Sequence, residues 1–307
     1  MPSLTIAHFS DIHLALPEGR PALGHLLSKR LLSYISWRRS RHRIHRRTVV
    51  DALLADVRAH APDHVAVTGD LVNLSLPAEF AAARQWLETV GPPGRVTVVP
   101  GNHDALVPVP WADGLGRWQE WMQGDDAPPG PDAFPFVRVR GQVALVGVRS
   151  AVPTAPLLAT GHIGQTQADR LSAILDDLGR RGLFRILLVH HPVHRAGESR
   201  RKALDDGERL TAVIARSGIE LLLHGHGHVG RLDSLVGPAA PIASLGCSSA
   251  SALPSHHGEA ARWHLLTITR TDRGWEANVV VRRLDGTGTG FATVGRYRLD
   301  IPAPLNI

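Results

Sequence analysis

Five short polar clusters in this 307-residue chain combine carboxylates, imidazoles and an amide in a way that suits metal chemistry. They are Asp11-Ile12-His13, Gly69-Asp70, Gly101-Asn102-His103-Asp104, His190-His191 and Gly225-His226-Gly227-His228. Asp11, His13, Asp70, Asn102, His190, His226 and His228 are too many donors for one tetrahedral ion. Two carboxylates, one amide oxygen and four imidazoles suit two borderline divalent ions that share a carboxylate. Such a pair, ~3.5–4 Å apart, clamps the attacking and leaving oxygens of an in-line phosphoryl displacement. The single cysteine, Cys247, excludes an internal disulfide and a Cys₂-type zinc site, and it fits a reducing compartment.

Each cluster must be brought to the others by the element before it. All five follow short, near-continuous apolar runs, at 4–10, 64–68, 95–99, 184–189 and 219–223. Runs of this kind are expected of strands covered on both faces. Between them, 48–60, 78–90 and 165–181 carry apolar residues at helical spacing. The alternation predicts a largely parallel sheet, whose carboxyl strand ends share one edge where loops build a ligand crevice. Residues 136–140 and 143–148 read as a hairpin around Gly141-Gln142. Three further runs, at 263–269, 275–283 and 291–299, predict an antiparallel C-terminal part at about 260–301. The Gly-rich stretch 286–290 reads as a turn, because no helix start follows it. A single domain over 1–307, holding two sheets, is the expected organisation.

In their order along the chain, these clusters resemble the D-x-H, G-D, G-N-H-[DE], H and G-H-x-H pattern of the calcineurin-like metallophosphoesterases. Every diagnostic position is filled between residues 11 and 228. The resemblance implies an α/β fold, a four-layer α/β/β/α sandwich of two mixed β-sheets, and two divalent metal ions (Mn, Fe or Zn). It implies that Asp11, His13 and His228 hold one ion, that Asn102, His190 and His226 hold the other, and that Asp70 bridges them. A metal-bridging hydroxide would then hydrolyse a phosphodiester in a small phosphorylated, nucleotide-like substrate. By the same resemblance His103 sits near the leaving group, donating a proton or stabilising charge, while Asp104 orients its ring. His191 is either a substrate residue or part of the wall, and His194 and Arg195 on the same loop are further substrate candidates. Asn73 stands where cyclic-nucleotide phosphodiesterases of the family often carry Asp, which leaves cyclic-nucleotide specificity open. Two alternatives remain, a pyrophosphatase acting on a lipid-linked sugar nucleotide at the membrane, and a nuclease. Against the first, the lipid A pyrophosphatases of the superfamily carry Arg where this chain has His103. A non-catalytic scaffold is disfavoured because no metal-site histidine is missing.

One feature lies outside that pattern, a basic insertion at about 19–47. Leu23, Leu26, Leu27, Leu31, Tyr34 and Ile35 form a helical stripe, and Gly19 to Val50 contains nine of the 34 Lys and Arg with no acidic residue. The 25 remaining basic residues are outnumbered by 28 Asp and Glu, so the formal net charge of +6 is local to this segment. The insertion reads as a packed cap with solvated arginines, a cap gripping anionic substrate, or an amphipathic surface with Trp37 resting on anionic lipid. Nucleic-acid binding is disfavoured, since few aromatics interleave with the charges. No apolar run approaches the ~20 residues of a membrane span, and no signal-peptide pattern is visible. The expected location is therefore cytoplasmic, with peripheral contact at the inner membrane face through residues 19–47 as an option. Oligomeric state is left open.

Overall fold

The computed structural model describes residues 3–17, 21–126, 130–193, 199–254 and 259–302. The chain opens with β1 (Ser3–Phe9), then leaves the sheet for short helices α1 (Leu23–Leu26), α2 (Arg30–Ser36) and α3 (His42–Ile44), followed by α4 (Arg47–Ala59). Next come β2 (His64–Val67), α5 (Pro77–Val90) and β3 (Val96–Val98). The hairpin β4 (Phe136–Arg140) and β5 (Val143–Gly147) precedes α6 (Gln165–Arg180), β6 (Phe184–Leu188), α7 (Gly207–Ser217) and β7 (Leu221–His224). The order ends with β8 (Arg231–Leu235), β9 (Ile242–Gly246), β10 (Arg262–Thr271), β11 (Gly274–Leu284) and β12 (Phe291–Pro302).

These strands make two six-stranded mixed sheets, ordered β12-β11-β10-β1-β2-β3 and β4-β5-β6-β7-β9-β8. In the first, β1, β2 and β3 run parallel while β10, β11 and β12 add antiparallel. In the second, β5, β6, β7 and β9 run parallel between the antiparallel edges β4 and β8. Because successive side chains point to opposite faces, a continuously apolar strand can serve two cores at once. Leu145, Ile186, Leu188, Leu221 and Leu223 join the core shared with the first sheet, whereas Ala144, Val146, Leu187 and Leu222 pack with Leu171, Leu175, Leu210 and Ile214 of α6 and α7. Val49, Leu53 and Val57 of α4 and Phe80, Trp86 and Leu87 of α5 bury against the first sheet. The result is the α/β/β/α layering.

Helix α7 and strands β8 and β9 have no counterpart in the sequence reading. β8 is a polar edge strand, Arg-Leu-Asp-Ser-Leu, and β9 reads Ile-Ala-Ser-Leu-Gly, so neither shows a plain apolar run. The insertion also departs from expectation. Its helical stripe breaks after Leu26, and its first part is exposed, Leu23 by 83% and Leu27 by 88%, while Tyr34 packs against Leu74, Leu76 and Leu106. Polar contacts also hold it in place. Lys29 Nζ donates to Thr154 Oγ1 and the Leu158 carbonyl, both at 2.6 Å, and Arg30 donates to the Leu74 and Ser75 carbonyls. The far end is joined to the segment after β9, where Arg46 N–H donates to Ser251 O, Leu253 N–H donates to Ile44 O, and His45 bridges Ala252.

Candidate metal centre

All five clusters sit at the carboxyl ends of parallel strands. Asp11 and His13 follow β1, Asp70 follows β2, Asn102 to Asp104 follow β3, His190 follows β6, and His226 and His228 follow β7. The two sheets present these ends side by side, which converts widely spaced residues into one site. The local backbone is unusual. Asp11, His13, Asp70, His226 and His228 all have φ between +43° and +68°. Non-glycine residues rarely adopt this region, and each instance costs of order 1–3 kcal/mol, so the tight turns that aim these side chains are held by their surroundings. At Gly225 no side chain is tolerable, because a Cβ would overlap Ser10 Oγ and Asp11 Oδ2. Gly69 meets the same limit through its φ of +97° and the approach of Gly101.

The donor atoms converge on Asp70. His190 Nδ1 donates to the Thr68 carbonyl at 2.7 Å, and His13 Nδ1 faces the Val72 carbonyl at 3.3 Å. Since a carbonyl only accepts, the proton of each ring sits on Nδ1 and the Nε2 lone pair points inward. Those Nε2 atoms lie 3.5 Å and 3.8 Å from Asp70 Oδ2. Asn102 Oδ1 stands 3.1 Å from His190 Nε2 and 2.8 Å from His226 Nδ1. On the other side His228 Nε2 is 3.3 Å from His13 Nε2 and 3.1 Å from Asp11 Oδ1, which accepts no well-directed hydrogen bond. Acceptors facing acceptors in a buried pocket are the arrangement that a cation relieves.

The electrostatics agree. Burial and the neighbouring Asp11 carboxylate push the Asp70 carboxyl up to about 8. Burial also opposes ionisation of Asp11, but the neighbouring His228 and His190 rings and the Ser10 hydroxyl together outweigh it and hold that carboxyl below its usual range. Two carboxylates this close need added positive charge to ionise together. The seven residues therefore fit a pair of divalent ions in donor type, number and spacing.

Around this centre the side chains divide their work differently from the sequence expectation. Asp104 does not orient the His103 ring. Its Oδ1 accepts from the Leu71 and Val72 amides and its Oδ2 from the Asp70 and Gly101 amides, so it braces the loops after β2 and β3. The His103 ring is instead set by its Nδ1–H, which donates to Asn73 O at 2.8 Å, and by Arg41 Nη1, which donates to Nε2 at 2.9 Å. With one nitrogen donating to a carbonyl and the other accepting from a guanidinium, His103 is neutral here. Burial and Arg41 hold it well below its ordinary range. Arg41 Nη2 is 3.1 Å from both nitrogens of His13, which places the guanidinium across that ring. Of the insertion's other arginines, Arg38, Arg39, Arg43, Arg46 and Arg47 are exposed.

Asn73 is tied to the first loop. Its amide donates to Leu14 O at 2.7 Å and it is buried, so the departure from the family pattern there braces the first loop. His191 is fully buried, accepting from the Ser150 hydroxyl at Nδ1 and donating to the Ala159 carbonyl from Nε2. His194 and Arg195 lie outside the described residues. Three residues escaped the sequence reading: Arg41, His45 and Glu79. Glu79 accepts from the amides of Asn73, Leu74 and Leu76 and so shapes the loop whose carbonyl holds His103. The Leu76-Pro77-Ala78-Glu79 stretch carries a signal for it, Pro at a helix start with Glu at the third position.

This fold and this cluster of donors define a metal-dependent hydrolase acting on phosphoester bonds. The chain belongs to the calcineurin-like phosphoesterase family, whose sequence model matches residues 4–230. A Synechococcus protein that carries the name probable cyclic nucleotide phosphodiesterase is 22% identical over 280 residues, 90% of this chain and 92% of its own length. A dimetal phosphatase from Danio rerio shares the fold with a TM-score of 0.55 at 15% identity, covering 95% of this chain and 98% of that one. Purple acid phosphatase PPD1 from yellow lupin shares it with a TM-score of 0.59 at 12% identity, over 97% of this chain and 53% of that one.

Proposed function

We propose that the protein hydrolyses phosphodiesters in a small, nucleotide-like substrate. Asp11, His13 and His228 would hold one divalent ion, Asn102, His190 and His226 the other, with Asp70 between them. One observation carries the reading: a cavity of about 340 Å³ is lined by Asp70, Asn102, His226 and His228 together with Arg41, His103 and Lys202. This volume lies near the lower end of small-molecule sites, ~300–1,000 Å³, and suits a nucleotide better than a protein or a duplex. Bound ions supply Lewis acidity toward a phosphoryl oxygen and lower the pKa of water. The chain's own positive charge there comes from Lys202 and from Arg41, whose fork can meet phosphoryl oxygens while His103, held by Asn73 O, fixes its direction. The name of the Synechococcus relative supports a diester substrate.

The test is a substrate panel with metal-loaded protein. Bis(p-nitrophenyl) phosphate and cyclic AMP are expected to turn over faster than p-nitrophenyl phosphate, with chelation abolishing all three rates. Activity on the monoester alone would sink the reading. A second reading, cleavage of a lipid-linked sugar nucleotide pyrophosphate at a membrane, is favoured by the exposed Leu23 and Leu27 and the exposed arginines on the same insertion, and by Arg41 standing next to His103. It predicts co-sedimentation with phosphatidylglycerol vesicles that weakens about tenfold or more when Leu23 and Leu27 become Glu, at roughly 1.5–3 kcal/mol per buried leucine. Equal behaviour of the parent and double variant would remove it. Among the described residues no helix is long and apolar enough to cross a membrane.

A further inference from the structure

The insertion brings a second residue to the centre, four positions after Arg41 on the same stretch of chain. His45 is buried, lines the cavity, and lies with its ring centroid 4.6 Å from His13 and 5.7 Å from His228. One ligand atom from each of His13, His45 and His228 can be chosen so that all three lie within 4.8 Å of one another. No position in the family pattern corresponds to His45.

The protonation of its ring follows from its neighbours. Ser249 Oγ donates its only proton to the Asp11 carbonyl at 2.6 Å, so toward His45 Nδ1, 3.3 Å away, it presents lone pairs. Ser251 Oγ lies 2.8 Å from the same nitrogen and 3.3 Å from Ser249 Oγ, to which its own proton can go. With the Ser251 proton directed to Ser249, Nδ1 is the donating nitrogen of His45 and Nε2 carries the lone pair. This is the way a metal-ligating histidine is set, with its other ring nitrogen donating to a fixed oxygen. The oxygens belong to a chain of contacts that ends on the backbone of Asp11 itself. The ring is also fixed by its backbone, through the bridge of His45 to Ala252 and the flanking bonds from Arg46 and Leu253.

We propose that His45 is a further ligand of the ion held by Asp11, His13 and His228, so that the insertion completes this metal site as well as covering it. The assignment rests on the two-ion reading given under the proposed function. Helix, serine pair and ion then form one unit, in which loading the site fixes the insertion and docking the insertion tightens the site.

Metal binding tests this without turnover. The metal-free full chain is titrated with Co(II), following equilibrium dialysis and the visible absorption of the bound ion. The parent is expected to bind two Co(II). His45→Ala is expected to bind one of them about 10–100-fold more weakly, with a changed spectrum for that ion as its coordination falls. His45→Asn keeps an amide donor where Nδ1 stands but has no atom at Nε2, so it is expected to show the same loss while preserving the Ser251 contact. Unchanged affinities and spectrum in either folded variant would overturn the proposal and leave the two-ion reading intact. A parent that binds fewer than two Co(II) would instead overturn the reading on which the proposal rests.

Discussion

Replacing Asp70 with alanine is expected to lower kcat/KM by about four orders of magnitude, because Lewis-acid stabilisation is worth several kcal/mol and each 1.36 kcal/mol is tenfold. The physical basis is position. Asp70 Oδ2 lies between His13 and His190, the two rings that point lone pairs at it from either side. Its other oxygen accepts the His103 amide at 2.7 Å. Metal analysis after dialysis should find fewer than two ions per chain in the alanine variant. Asp70→Asn keeps the neutral acceptor and loses the charge, and should fail almost as completely. Retention of both ions with activity within tenfold of the parent would show that Asp70 is not the shared ligand. The same carboxyl predicts a pH effect on the metal-free chain. Its folded pKa is raised from 3.8 to about 8, so ionisation costs stability as pH climbs through that interval. The metal-free Asp70→Asn variant should therefore melt above the metal-free parent at high pH, and addition of metal should reverse the order.

Arg41→Ala is expected to lower kcat/KM by about 10²–10³-fold with both ions retained, the usual effect of removing one preorganised donor to developing charge. Lysine should restore little, because a point charge cannot donate to His103 and to a phosphoryl oxygen in one plane. His103→Ala should reduce turnover with metal content intact, and less severely, because the ring acts through Arg41. The double variant discriminates between roles. If His103 only braces the guanidinium, Arg41→Ala/His103→Ala will be little worse than Arg41→Ala alone. Multiplying losses would instead return to His103 the independent proton-donating role that its family position suggests. Equal rates for Arg41→Ala and the parent on a diester would show that the insertion only shields the site.

Much of the architecture was legible because parallel strands place their ends on one edge. A ligand type immediately after an apolar run could be read as an edge residue, and the five clusters of this chain obeyed that rule. The ligand-bearing strands were readable as continuous apolar runs, and β10 to β12 as long runs separated by turns. β8 and β9 escaped because an edge position relaxes the demand for apolar residues on β8, and β9 carries small residues where a longer apolar run would advertise a strand. Asp104 shows a different limit. Its spacing in the Gly-Asn-His-Asp run is compatible with orienting the next ring or with binding backbone amides, and only the folded loops show that four amides reach it first.

The insertion marks the boundary most sharply. Its charge, its leucine stripe and its departure from the first ligand loop were all readable, because composition and periodicity are local properties. Which arginine turns inward was not. Arg38, Arg39, Arg41 and Arg43 are alike as residues, and the selection of Arg41 depends on a π-helical turn at Trp37–Arg41 and on the backbone pairing that ties His45 to Ala252. Residue types and spacing sufficed to bring the candidate ligands to one edge, since residues recruited from strand ends need only the right order. The cover over that chemistry was decided by contacts between distant segments, Arg41 with His103 and His45 with a segment some two hundred residues away, and no local pattern encodes such pairings.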